Sequence, residues 1–454
     1  MKNKKIGLFV YISAAVIFIM TAAAVLVSCG TEKDPFAANT GDKQTYEINP
    51  VEAQTYENGY PVDPLEDFYS LTVAESREKY GELFIPGYNA HYAGKYNYLD
   101  ITVKVMTASG EREVKTLGKC EHLREWAKPA CTDPLCTHER GSACPFANYE
   151  DSSKLVCYCG KLYFWTSGGD LYVYTPETNK SEILNSKFDV HNFCRYDGSL
   201  YFIINEEDEN FKAVRVAYKV TENGELIRLL EYGGMEHSAD LIYKDRYVLI
   251  RGYNITEDEN GRRKYEVSTE ILMYDSQTGK TVTAFERRVP ELKDYAAGSY
   301  VLIPYMIYGD KLLVEDEYRI IDYDKGEYTL YAKENWLVDL KTFEKKLLIS
   351  KDNHNSAGGT LYSSEKTILI YDPISDEESH RVIRLIDPYN GTEKVYDLTA
   401  AAEKIGRKLP AYMSLFMVEK GAVIFTKPTN DYTYPKILMC DLESGKIYIA
   451  PDSE

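Results

Sequence analysis

One polar turn phrase recurs six times along this chain, so the fold must divide into like parts. It reads Tyr174-Thr175-Pro176-Glu177-Thr178-Asn179-Lys180, Tyr218-Lys219-Val220-Thr221-Glu222-Asn223-Gly224 and Tyr274-Asp275-Ser276-Gln277-Thr278-Gly279-Lys280. It returns as Asp339-Leu340-Lys341-Thr342-Phe343-Glu344-Lys345, Asp387-Pro388-Tyr389-Asn390-Gly391 and Asp441-Leu442-Glu443-Ser444-Gly445-Lys446. With Asn179, Gly224, Gly279, Glu344, Gly391 and Gly445 taken as equivalent, the spacings are 45, 55, 65, 47 and 54 residues. A four-stranded propeller blade takes ~40–50 residues. Ahead of each turn stands a second one feeding a β-rich run, as in Gly160-Lys161-Leu162-Tyr163-Phe164-Trp165 and Gly198-Ser199-Leu200-Tyr201-Phe202-Ile203. Polar turns alternating with aromatic and β-branched runs read as hairpins.

The expected fold is therefore all-β: a β-propeller of four-stranded blades. Six units fill residues 151–454. A further unit at 70–150, opening on Tyr96-Asn97-Tyr98-Leu99-Asp100-Ile101-Thr102-Val103, makes seven. Six blades behind a separate N-terminal cap are the alternative. Helix is expected only near Ala74–Tyr80 and Thr399–Lys408. The 40 tyrosines fit such a chain, because aromatic side chains pack well on pleated, half-buried surfaces. With 71 acidic against 53 basic side chains the formal charge is −18. Phosphate backbones bind through clustered Lys and Arg, so nucleic acid is not an expected partner.

The first residues are an address. Met1-Lys2-Asn3-Lys4-Lys5 is cationic, and Ile6 to Val27 carry no charged residue. The run ends in Leu26-Val27-Ser28-Cys29-Gly30, which resembles the bacterial lipobox. That resemblance implies a signal peptide over 1–28, cleavage before Cys29 and a diacylglyceryl group on its sulfur. An uncleaved transmembrane anchor is the alternative, since ~20 apolar residues can cross a bilayer. Both place the rest of the chain outside the cytoplasmic membrane, at the cell surface. Residues 29–69 hold Pro50, Pro61 and Pro64 and show no apolar period, so they read as a disordered tether.

The Gly-Lys-Leu-Tyr-Phe and Tyr-Asp-x-x-Thr-Gly-Lys phrases resemble the extracytoplasmic propellers of the TolB-like and YWTD-like groups. Together with the lipobox and a cysteine cluster, the chain is similar to surface lipoproteins of anaerobic Firmicutes. The resemblance implies a binding scaffold and carries no catalytic residue across. No copy contains Tyr-Trp-Thr-Asp itself.

The cysteines are the sharpest chemical signal. Beyond Cys29 there are eight, and Cys131, Cys136, His138 and Cys144 give C-x4-C-x-H-x5-C. Three thiols and an imidazole are the ligand set of a closed tetrahedral zinc site, although the two-residue offset from Cys136 to His138, with Thr137 alone between them, is tight. Disulfides are the equal alternative, because an exported protein with an even number of remaining cysteines invites them. Unpaired core thiols are a third. Cys157 and Cys159 are expected on one face of one strand.

Other motifs dissolve on inspection. Gly279-Lys280-Thr281 ends like a phosphate loop but is one of the six turns, and no Gly-x-Ser-x-Gly or His-Glu-x-x-His occurs. Glu206–Glu209 and Glu257–Asn260 lack calcium-loop spacing and read as solvated hairpin tips. No catalytic residue is assigned. The expected function is a lipid-anchored binding or scaffold module for an extracellular protein, peptide or glycan. An extracytoplasmic glycan-active hydrolase or lyase, its carboxylates in the propeller funnel, is the rival reading.

Overall fold

The computed structural model describes the chain between residues 44 and 449 apart from several segments, the longest being 52–70, 81–90, 288–297, 373–381, 405–413 and 427–435. The leader, Cys29 and most of the expected tether lie outside the described residues. Among the described residues no helix is long and apolar enough to cross a membrane.

The protein is an all-β propeller. Seven sheets follow one another in chain order, and in each the four core strands pair antiparallel with their sequence neighbours. The first spans His91–Ala93, Tyr96–Thr107, Gly110–Cys120 and Lys128–Pro129; the second, Ser152–Tyr158, Lys161–Thr166, Leu171–Thr175 and Lys180–Asn185. The third holds Val190–Tyr196, Ser199–Glu207, Ala213–Val220 and Leu226–Gly233; the fourth, Ser238–Tyr243, Tyr247–Arg251, Glu270–Asp275 and Lys280–Glu286. The fifth is built on Gly298–Tyr308, Lys311–Asp322, Glu327–Asp339 and Lys345–Asp352. The sixth uses Thr360–Ser363, Ile368–Asp372, Val382–Ile386 and Glu393–Asp397, and the seventh Ser414–Leu415, Ala422–Thr426, Lys436–Asp441 and Lys446–Ile449. Two short helices interrupt the pattern, α1 (Val73–Tyr80) and α2 (Leu398–Lys404), close to the two expected stretches.

What stacks the sheets is strand alternation with both faces buried. Successive side chains on a strand point to opposite faces. Tyr163 and Trp165 enter the core shared with Phe188, Leu200, Phe202 and Ile204 of the third unit, while Phe164 between them joins Tyr98, Leu117 and Tyr149 toward the first. The next unit repeats the split. Leu200 and Phe202 face backward, while Tyr201 and Ile203 face forward onto Leu241, Val248 and Ile250. Further on, Leu313 and Leu337 of the fifth sheet pack on Ile368 and Ile370 of the sixth.

Turn chemistry explains the repeated phrases. Cys159 (φ 47°) and Gly160 (φ 73°) close one hairpin and Asp197 (φ 48°) and Gly198 (φ 71°) the next. Two left-handed residues in succession match the twist of the flanking strands. Cys159 therefore sits in the turn, exposed, and not on the strand face with Cys157, which corrects the expectation for that pair. In the fourth copy of the polar phrase Phe343 (φ 61°), not Glu344, occupies the left-handed position.

Two elements account for the long spacings. A hairpin, Asn254–Glu257 with Arg263–Val267, leaves the fourth unit and pairs in parallel with Gly298–Tyr300 of the fifth. The fifth sheet's own hairpin is long, pairing as far as Asp322 with Glu327. The tether expectation is also corrected in part. Gln44–Tyr46 and Asn49–Val51 are strands, added in parallel to the outer edges of the sixth and seventh sheets. Three-residue strands leave no period to read, and their partners lie at the other end of the chain.

Many tyrosines do more than fill space. Tyr201 of the third sheet donates its hydroxyl to Asp245 in the first turn of the fourth, and Lys219 joins the same carboxylate at 2.7 Å. Tyr243 of the fourth sheet donates to Asp310 in the first turn of the fifth, where Lys244 arrives at 2.6 Å and Lys341 at 2.5 Å. The bonds from Lys244, Lys341 and Tyr243 hold the Asp310 carboxyl well below the usual range. A carboxylate depressed in the folded state stabilises above its unfolded pKa of ~3.9, and that contribution is lost as pH falls toward its folded value. Urea unfolding from pH 7 to 2 should therefore show Asp310→Asn less stable than the parent near neutrality, with the gap closing below about pH 4. A gap constant with pH would refute the latch.

Candidate metal centre

The loop between the first and second sheets gathers Cys131, Cys136, His138 and Cys144 so that their ligand atoms all lie within 4.8 Å of one another. Three local devices bring them there. Asp133 accepts the Leu135 N–H on its carboxylate at 2.9 Å and the Cys136 N–H on its carbonyl at 3.2 Å, turning the chain between the first two thiols. His138 adopts φ 55°, a left-handed conformation uncommon for residues other than glycine, though less so for His than for most. That reversal resolves the tight offset: the imidazole folds back over the thiol two residues earlier. A last tight turn follows Cys144, with the Ala147 N–H donating to the Cys144 carbonyl at 3.2 Å.

The geometry suits a tetrahedral ion. Zinc bonds of ~2.3 Å to sulfur and ~2.0 Å to nitrogen imply edges of about 3.8 Å between sulfurs and about 3.5 Å between nitrogen and sulfur. His138 Nδ1 stands 3.5 Å from Cys136 Sγ and 3.2 Å from Cys144 Sγ. Each sulfur also meets the backbone two residues on: His138 N donates to Cys136 Sγ at 3.4 Å, Phe146 N to Cys144 Sγ at 3.3 Å, and the Asp133 backbone bonds Cys131. Hydrogen bonds of this kind favour the thiolate, the form that ligates metal.

The surroundings push the other way. Burial raises the Cys144 and Cys131 thiols and lowers the His138 imidazole, disfavouring the charged form of each. A bound cation reverses that balance and holds the thiols deprotonated. No disulfide joins the described cysteines. A disulfide would use two of these sulfurs and leave a thiol and an imidazole over, whereas one ion engages all four groups.

The cluster is fastened to both neighbouring sheets. Ala130 N donates to Leu117 O at 2.8 Å, and the Tyr149 hydroxyl reaches Asp100, both in the first sheet. Toward the second, Asn148 donates to the Tyr172 hydroxyl at 2.9 Å and Asn179 to Thr132 Oγ1 at 3.4 Å. Cys131 belongs to the core between these sheets, with Phe146 against Tyr174 at 4.7 Å and Tyr149 against Phe164 at 5.1 Å between ring centroids. Sequence reasoning found the four donors but not the backbone N–H groups or the rings of Phe146 and Tyr149. The phrase Cys144-Pro145-Phe146-Ala147-Asn148-Tyr149 was the available signal for the latter.

Two carboxylate clusters elsewhere tie neighbouring sheets together. Asp240, fully buried on the fourth sheet, accepts from Arg215 at 2.7 Å and Tyr232 at 2.6 Å, both on the third. Arg287 at the end of the fourth sheet pairs with Asp316 and Glu334 of the fifth.

No family model matches the chain, and no curated protein does. Solved structures with similar strand arrangements include an oligogalacturonate lyase in complex with manganese, at 12% identity and a TM-score of 0.39, covering 83% of this chain and 93% of that one. The β-propeller domain of the Trilobed protease from Pyrococcus furiosus is 11% identical, TM-score 0.41, over 80% and 96%. The acylaminoacyl peptidase of Pyrococcus horikoshii is 12% identical, TM-score 0.39, with 85% of this chain against 53% of the peptidase. Similarity at this level says nothing of substrate or activity for this chain.

Metal analysis of the purified protein should find one metal ion per chain, with Cys131, Cys136 and Cys144 protected from alkylation until a chelator is added. Cys136→Ser should abolish metal binding and lower the melting temperature by about 4 °C, as loss of about 3–4 kcal/mol does in a domain of this length. Full thiol reactivity in the untreated protein would rule the centre out.

Proposed function

We propose that this chain is a non-enzymatic propeller of seven blades, lipidated on Cys29 and held outside the cytoplasmic membrane, that presents a binding surface to an extracellular protein, peptide or glycan. Cys131, Cys136, His138 and Cys144 bind a structural zinc ion that fixes the first blade to the second. The convergence of these four donors, each sulfur with its backbone N–H, is the observation that carries the zinc assignment. When bound, zinc supplies a closed cross-link; with four protein ligands it keeps no open position for substrate or water. The protein's own groups supply the rest. Asp133 and His138 shape the loop, and Tyr149, Asn148 and Thr132 transmit its hold to the sheets on either side.

Seven successive sheets and the ion-paired state of Asp240 and Asp316 support a scaffold reading, since carboxylates tied to arginines stiffen the joints between blades. The order of charge, apolar run and Cys29 supports the anchor. An acyl chain adds ~0.8 kcal/mol of membrane affinity per buried methylene. Expression of the full chain should place it in the membrane fraction with the mass of a diacylglyceryl adduct, and Cys29→Ser should move it to the soluble fraction. The zinc-loaded protein should retain a glycan or peptide from an array without converting it. Turnover of the retained compound would overturn the scaffold reading.

A further inference from the structure

The N-terminal strands make an unusual pair of contacts. Gln44, Thr45 and Tyr46 lie opposite Lys394, Val395 and Tyr396 on the outer strand of the sixth sheet. Asn49, Pro50 and Val51 lie opposite Lys446, Ile447 and Tyr448 on the outer strand of the seventh. Both pairings are parallel, so one short segment runs along two sheet edges in succession. Only Glu47 and Ile48 separate the two strands in sequence. Three Cα steps reach at most about 11 Å, so the segment holds those edges within that span of each other.

We propose that residues 44–51 are a clasp that locks the sixth and seventh sheets together and opens as a single unit. Strands of three residues are too short to persist alone, so each half holds only while the other does. The partners lie some 350 to 400 residues downstream, and a pairing of such sequence separation forms after the local hairpins have formed. The clasp thus closes last. It also shields two outer edges, which otherwise offer unpaired N–H and C=O groups to passing strands. Pro50 has no N–H to extend the pairing to a further strand. Because the clasp lies within the segment expected to be a tether, the end of the chain that leads to Cys29 is fastened to the sheets built from the opposite end.

Native-state hydrogen exchange of the full chain in rising urea tests this without altering it. Amides of Glu393–Asp397 and Lys446–Ile449 should share one opening transition, at lower urea than those of the second and third sheets. Transitions at separate urea concentrations would overturn the clasp. In the full chain, Thr45→Pro and Val51→Pro should each speed exchange about tenfold or more at both outer strands, leaving the second and third sheets unchanged. A change confined to the edge facing the substituted residue, or no change at either, contradicts the proposal. Protection of these edges that rises with protein concentration would mean a second copy supplies the segment, and also overturns it.

Discussion

Everything in this protein depends on strands that bury both faces. A strand with one wet face needs one core; a strand such as Lys161–Thr166, buried on both faces from Leu162 to Thr166, must be sandwiched between two. Each sheet is then the wall of two cores, and the only way to continue is another sheet. The same logic makes the ends of the stack costly, because a terminal sheet has one face without a partner. Radial repetition removes that cost and leaves only short edges.

Where apolar packing alone would let sheets slide, polar groups fix their register. Buried pairs such as Arg215 with Asp240 gain little net stability once desolvation is counted, but they are directional, as apolar surfaces are not. The cysteine loop does the same at the first joint with a different chemistry. The first sheet is flanked by strands of only three and two residues, so much of its cover comes from the loop carrying Phe146 and Tyr149. The four donors lie in that loop, so an ion bound by them would add a cross-link that short strands cannot supply. Removing the ion would loosen that joint before the ones built on longer strands.

The sequence carried the architecture because two-sided strands and left-handed turns leave marks: aromatic runs after Gly160 and Gly198, and an Asn or Gly at most tips. It carried the grouping of Cys131, Cys136, His138 and Cys144 because thiols and imidazoles are rare. It did not carry what depends on neighbours far along the chain. Phe343 takes a left-handed conformation without the residue type that announces it. The hairpin at 254–267 looks like part of its own unit until its pairing with Gly298–Tyr300 is seen. Alternation placed Tyr163 and Trp165 together, yet which core they enter is set by the third sheet, not by their own strand. The strands at 44–51 are shorter than any pattern that could signal them.

The tyrosine latches give the ring a sense of direction. In both, the hydroxyl comes from the earlier sheet and the carboxylate from the first turn of the next. The fourth unit therefore carries both a socket at its start, Asp245, and a plug for its successor, Tyr243. Copying that unit within the gene would bring both halves along, and the new joint would be made with no further change. A unit inserted from an unrelated propeller would lack one half or the other. A duplicate of the fourth unit would thus dock on its parent through hydrogen bonds that both copies already encode.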